Sequence, residues 1–284
     1  MIRSLPTSRG YDWAFQAFII LYFIFLFAPL VVTCVLAFND SNFPSLPWNG
    51  FSLDWFLSAG PARVGIFHDS QTLRALWTSF KTAFFVSIFS VAVGTCASLL
   101  FEEEQFRFKG LLYFLMLAPL VIPGVILGIS LLLAANTAGV FLEESMEWDF
   151  ALFRPSFWLV VMGQFSFITT FVTLVVSARL RKFDRSLEEA ALNLGANRFQ
   201  VIQHITLRYL RPSIIGAAAV AFLMSFENFN TTIFLVGSEP TLPVTLYLQV
   251  RDGSTPMINA VSLLLIVGTS CLALANLYFG RKGE

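Results

Sequence analysis

The sequence is poor in charge, histidine and cysteine, and each shortage removes a class of function. Only 13% of its 284 residues are Asp, Glu, Lys or Arg, about half the share of a soluble domain. That leaves too little polar surface for a globule in water. The 18 basic and 18 acidic residues cancel, so no excess charge recruits nucleic acid or an acidic partner. His68 and His204 have no second His or paired carboxylate at ligand spacing and read as solvated or packing side chains. Cys34, Cys96 and Cys271 each fall inside an apolar run and read as packing or lipid-facing residues. No nucleophile elbow or catalytic triad is present, and no G-x-x-x-x-G-K-[ST] phosphate loop. A membrane-embedded enzyme therefore has no constellation to stand on.

What the chain has is apolar bulk: 56% hydrophobic residues, 32 of them Phe, and a mean hydropathy of +0.73. A spanning helix needs about 20 mostly apolar residues. Six stretches qualify, at about 14–38, 73–101, 110–135, 156–178, 213–236 and 257–279. The first is too long for the core of a signal peptide, and Met1 to Tyr11 lack a small-residue cleavage pattern. Pro119, Pro123, Gly124 and Gly128 predict a bent or partly unwound third span. One all-α transmembrane domain, 1–284, is expected.

Basic residues set the orientation. With both termini in the cytoplasm, the inner segments carry Arg3, Arg9, Arg107, Lys109, Arg179, Arg181, Lys182, Arg185, Arg198, Arg208, Arg211, Arg281 and Lys282. The outer segments carry only Arg63, Arg74, Arg154 and Arg251. The outer loop at 39–72 is rich in Pro, Trp and Phe, and a short surface helix is expected near Leu53 to Leu57. A second outer loop, 136–155, is acidic through Glu143, Glu144, Glu147 and Asp149. It reads as a solvated loop or a docking surface for an extracytoplasmic partner.

The cytoplasmic loop 179–211 is longer than a connection requires. Ser186-Leu187-Glu188-Glu189 has the form of a capping box, so a helix should start near Leu187. Gly195 suits the left-handed residue that ends it. A second helix is expected from Arg198 to Leu207. Such a pair is either a docking element or a small interfacial helix.

Glu189-Ala190-Ala191, Gly195 and Ile205-Thr206-Leu207 stand at the spacing E-A-A-x3-G-x9-I-x-L. This resembles the EAA loop of ABC importer permeases, except that Arg208 stands where the family motif carries Pro. Phe51 to Phe56, Thr78 to Ala83 and Pro119 to Leu132 are similar to further segments of that family. Ser225-Phe226-Glu227-Asn228, with Leu242-Pro243, Tyr247 and Asn259-Ala260, resembles the second permease of spermidine/putrescine importers. The resemblance implies a type I permease in a bacterial cytoplasmic (inner) membrane. It implies a second permease subunit, two cytoplasmic ATP-binding subunits holding ATP and Mg, and an extracytoplasmic solute-binding protein. This chain would need no cofactor. Its ATPase-coupling residues would be Ser186, Glu188, Glu189, Ala190, Ala191, Gly195, Ile205 and Leu207. The solute would be a polyamine, or alternatively another small organic or inorganic solute.

Two ionisable residues lie deep in the spans, and such residues are functional candidates. At about 1.5 Å per residue, Glu227 is roughly 21 Å from the inner side and Lys81 roughly 15 Å from the outer. Their depths overlap, so they are expected to form an ion pair, or Glu227 to clamp backbone groups, or else both to line the solute path with Asn228, Asn230 and Thr231. Glu227, Asn230, Thr231 and Phe234 would share one helical face. Gly124 occupies a position where several relatives carry an acid. A secondary transporter is the alternative from another class; it would use the Pro-Gly break but has no role for the cytoplasmic loop.

Overall fold

A computed structural model describes residues 9–44, 46–60, 63–146, 153–253 and 256–280. Arg3, Glu147, Asp149, Arg281 and Lys282 lie outside the described residues. The chain is built of helices, and among the described residues five are long and apolar enough to cross a membrane: Gly10–Leu36, Ser70–Glu103, Gly124–Ser145, Phe157–Leu180 and Arg198–Phe226. Two compact units divide them, 74–245 and a second formed from 1–73 with 246–284.

In the second unit, α1 (Arg9–Leu36) packs on α12 (Met257–Gly280). The expected short helix is present as α2 (Asp54–Leu57), followed by an antiparallel pair, β1 (Ala59–Gly60) and β2 (Arg63–Val64). Trp55 and Phe56 are buried rather than spread on a surface. The Trp55 indole donates to the Asn39 carbonyl at 3.2 Å, and the Arg63 guanidinium lies over the same ring while pairing with Asp40 and Asp54.

The larger unit is built around α6 (Phe157–Leu180). Every turn of α6 buries a β-branched or small residue, among them Val160, Ile168, Val172 and Val176. Lipid tails are as apolar as these side chains, so close backbone approach and hydroxyl bonds hold such helices together. Against α6 lies α3 (Ser70–Glu103), where a Cβ on Gly94 would stand 2.9 Å from the Val172 side chain. Thr169 donates to Ser90 of α3 at 3.2 Å, and Thr170 donates to the Met116 carbonyl of α4 (Lys109–Val121) at 2.5 Å.

The third span departs from a single helix over 110–135. It breaks at Ile122, whose backbone is extended (φ −72°, ψ 130°), because the ring of Pro123 excludes the helical region for the residue before it. A new helix, α5 (Gly124–Met146), then runs well past the expected end and takes Glu143 and Glu144 onto a helix instead of a loop. The outer segment after the fifth span also holds an unforeseen helix, α11 (Leu242–Gly253).

The fifth span differs most. Rather than a separate helix ending at Leu207 and a span from 213, one helical run extends from α8 (Arg198–Val201) through a π-turn at Ile202–Thr206 into α9 (Leu207–Phe226). Pro212, only six residues into α9, does not interrupt it. The run then stops at Phe226, ten residues before the expected end, and restarts as the single turn α10 (Thr232–Leu235).

Candidate functional site

The loop 179–211 folds around a helix closed at both ends. Asp184 accepts from the Ser186 amide at 3.0 Å, and hydrogen bonds from the Ser186 hydroxyl and amide hold its carboxyl below the usual range. The expected Ser186 capping box is therefore not formed. Ser186 already lies inside α7 (Ser186–Asn193), and its hydroxyl turns back to Asp184. The capping box stands one helix later: Asn197 and Gln200 exchange bonds of 2.8 Å at the start of α8. At the other end of α7, Gly195 has φ +90°. The Ala196 amide reaches the Ala191 carbonyl at 3.1 Å and the Gly195 amide reaches that of Leu192 at 3.0 Å, a complete Schellman closure.

Glu189 and Ala190 face water, whereas Glu188, Ala191, Ile205 and Leu207 are half-buried. Glu188 turns inward because Thr206, fully buried, donates its hydroxyl to that carboxylate at 2.5 Å. The loop is also pinned to the acidic end of α3. Arg181 pairs with Glu102 at 2.8 Å, Arg185 donates to the Glu102 carbonyl at 2.9 Å, and Arg198 stands 3.8 Å from Glu104. Sequence reasoning missed Asp184, Thr206 and Glu102. The run Glu102-Glu103-Glu104 opposite a basic loop was the available signal. Leu187, Leu194 and Phe199 remain outward beside this charged loop, Leu194 at 89% exposure.

The second cluster closes over the break in the fifth span. Gln164, fully buried on α6, accepts from the Ser225 hydroxyl at the end of α9 and donates to Thr232 at the start of α10 at 2.7 Å. Thr232 donates in turn to Asn228 at 2.9 Å, and Asn228 also accepts from the Thr232 amide at 3.3 Å. One side chain from a neighbouring helix thus joins both ends of the break. Glycines let the surrounding helices close in: a Cβ on Gly128 would meet the Thr231 carbonyl at 2.8 Å, and one on Gly124 would meet Asn230 at 3.1 Å. At Gly124 the space an acidic side chain would need is filled by Asn230 and Thr231.

Two expectations about this region are corrected. Because the helix ends at Phe226, Glu227, Asn230, Thr231 and Phe234 do not form one helical stripe. Glu227 caps the helix end and is exposed, Asn230 is exposed, and Thr231 is buried. Lys81 does not pair with Glu227. Its ammonium stands 3.8 Å from Glu239 and lies over the Phe157 ring at 5.6 Å. Among the described residues, Glu227 has no ion-pair partner, so its carboxylate is left open to whatever faces this helix end. Gln164, Ser225 and Thr232 were not foreseen; no local spacing links residues so far apart.

The profile of the family described as "Binding-protein-dependent transport system inner membrane component" matches residues 90–282. A putrescine transport system permease protein of Escherichia coli (strain K12) is 31% identical, covering 100% of this chain and 95% of that protein. A spermidine/putrescine transport system permease protein of Haemophilus influenzae is 25% identical, covering 95% of this chain and 97% of the relative. The solved structure of a bacterial ABC transporter involved in the import of the acidic polysaccharide alginate superposes with a TM-score of 0.77 at 18% identity, over 96% of this chain and 97% of that one.

Proposed function

This chain belongs to the family of binding-protein-dependent transport system inner membrane components, and from that premise we propose that it forms half the pore of an ATP-driven polyamine importer in a bacterial inner membrane. It is a permease subunit with the type I permease fold. A second, related permease would complete the pore, two cytoplasmic subunits would bind ATP and Mg, and an extracytoplasmic protein would deliver the solute. Similarity to putrescine and spermidine/putrescine permeases supports the choice of solute.

The observation that carries the reading is α7. It is capped by Asp184, closed by Gly195 and offers Leu187 and Leu194 to the cytoplasm. A helix this short is marginal alone, and its closure at both ends suits it to seat in a groove of an ATP-binding subunit. Motion of that subunit would pass through Glu188 and Thr206 into α9 and so to the break at 227–231. There the open carboxylate of Glu227 would offer an amine a counter-charge, with Asn228, Asn230 and Thr231 beside it. A secondary transporter gives α7 no task.

The test is ATP hydrolysis by the complete complex in vesicles. Binding protein loaded with putrescine should stimulate it, and empty binding protein should not. Equal rates with and without putrescine would reject the solute; failure of the chain to assemble with ATP-binding subunits would reject the whole reading.

A further inference from the structure

The foot of α9 carries two arginines, beside the coupling residue Leu207, that the coupling role leaves unused. Arg208 and Arg211, three residues apart, line a shallow, open depression of the surface with Gln203, His204, Leu207, Ile214 and Ile215. No acidic residue lines it. The arginines nearby are engaged: Arg181 with Glu102, Arg185 with the Glu102 carbonyl, Arg198 with Glu104, and Arg179 over the Tyr209 ring at 4.4 Å. Arg208 and Arg211 are exposed and, among the described residues, have no carboxylate within ion-pair distance. Arg208 also stands where the family motif carries Pro.

The position of the depression along the helix decides its ligand. The bias of basic residues in the loops puts Arg208 and Arg211 toward the inner end of the fifth spanning helix, Arg198–Phe226, just before its apolar stretch begins. Directly above them Ile214 and Ile215 continue the same lining, Ile215 at 57% exposure. Cationic groups at the water boundary with branched aliphatic side chains on the membrane side match a ligand that is anionic at one end and hydrocarbon at the other. A free phosphate has no use for the isoleucines, and an acidic protein segment would not continue into the bilayer. We propose that this depression binds an anionic phospholipid of the inner leaflet, its phosphate between Arg208 and Arg211 and an acyl chain along Ile214 and Ile215. Inner-leaflet anionic lipids attract such juxtamembrane arginines.

The test uses the complete transporter, purified with its partner subunits and probed with phosphatidylglycerol. Native mass spectrometry should show phosphatidylglycerol retained by the wild type over phosphatidylcholine. Retention should weaken roughly 30-fold in R208Q/R211Q, the combined effect of two interfacial charges. R208K/R211K should keep it, as should Lys182→Gln, which removes an exposed charge elsewhere in the same loop. Phosphatidylglycerol with a photoreactive acyl tail should label Ile214 or Ile215 in the wild type, an arm independent of any variant. Equal retention by R208Q/R211Q and wild type would overturn the proposal. So would labelling elsewhere, or loss of the ATP-binding subunits from R208Q/R211Q in every lipid, which would assign the arginines to a protein partner.

Discussion

The hydroxyl of Thr206 donates to the carboxylate of Glu188 at 2.5 Å, tying the middle of α7 to the π-turn at the foot of α9. With the Asn197–Gln200 capping box between them, the loop helix and the start of the fifth span are held as one piece. π-turns often mark functional positions in helices, and this one sits between α8 and α9, where the proposed coupling would carry a push on α7 into the fifth span. Thr206 is fully buried, so a protein docked on α7 cannot touch it. Under the proposed coupling, a role for Thr206 would be separable from docking.

Thr206→Val should leave assembly with ATP-binding subunits intact and lower solute transported per ATP several-fold. Stranding the Glu188 carboxylate should also cost about 1–3 kcal/mol of stability. Thr206→Ser should restore the ratio. The check is parallel measurement of hydrolysis and uptake in vesicles.

Gly195→Ala should loosen the end of α7. A side chain at φ +90° costs about 1 kcal/mol, and no neighbour lies within 4 Å to clash. The loss should therefore be conformational alone, and Gly195→Asn, which tolerates this conformation better, should lose less. The yield of ATP-binding subunit copurified with each variant reports it.

Gln164→Leu should strike the break in the fifth span. It leaves the buried Ser225 hydroxyl without its acceptor, at about 1–3 kcal/mol, while Thr232 keeps its bond to Asn228. Thermal unfolding of the solubilised complex should shift down by several degrees, with uptake reduced.

Glu227→Gln should reduce uptake of a cationic solute while copurification of the ATP-binding subunits is unaffected. Uptake at the wild-type rate would remove Glu227 from the solute path and leave it a helix-end residue.

Asp184 gives the loop a defined acid limit. Its carboxyl is held below the usual range by the bonds from Ser186, so the charged form belongs to the folded loop. Its contribution is fully present above the unfolded value and is lost only as pH falls through the lowered one, below about pH 4. Hydrogen exchange at the first turn of α7 should show constant protection from neutral pH to about pH 5. Asp184→Ala should lose that protection at every pH.

Much of this was readable from residues alone. Long apolar runs fixed most of the spans, Pro123 marked the break in the third, and Gly195 marked the end of α7, because each acts through its own backbone or its own transfer energy. The capping box was misplaced since Ser186 has two suitors, and Asp184 two residues upstream outcompetes Glu189. The end of the fifth span was illegible for a related reason. Glu227 to Phe234 keep helical spacing, but the Asn228 side chain takes the Thr232 amide, a local competition with the helix, and Gln164 secures the result from another helix. The depth estimates for Lys81 and Glu227 overlapped as well, yet depth carries no information on azimuth. Glu239, beyond the break, was the carboxylate within reach of Lys81.

The most direct test is uptake of labelled putrescine into vesicles holding the complete transporter, comparing ATP supplied at the cytoplasmic face with an imposed ion gradient alone. Uptake that requires both ATP and the binding protein, and that ignores the gradient, is the predicted result. Uptake driven by the gradient without ATP would contradict the account and make this chain a secondary transporter.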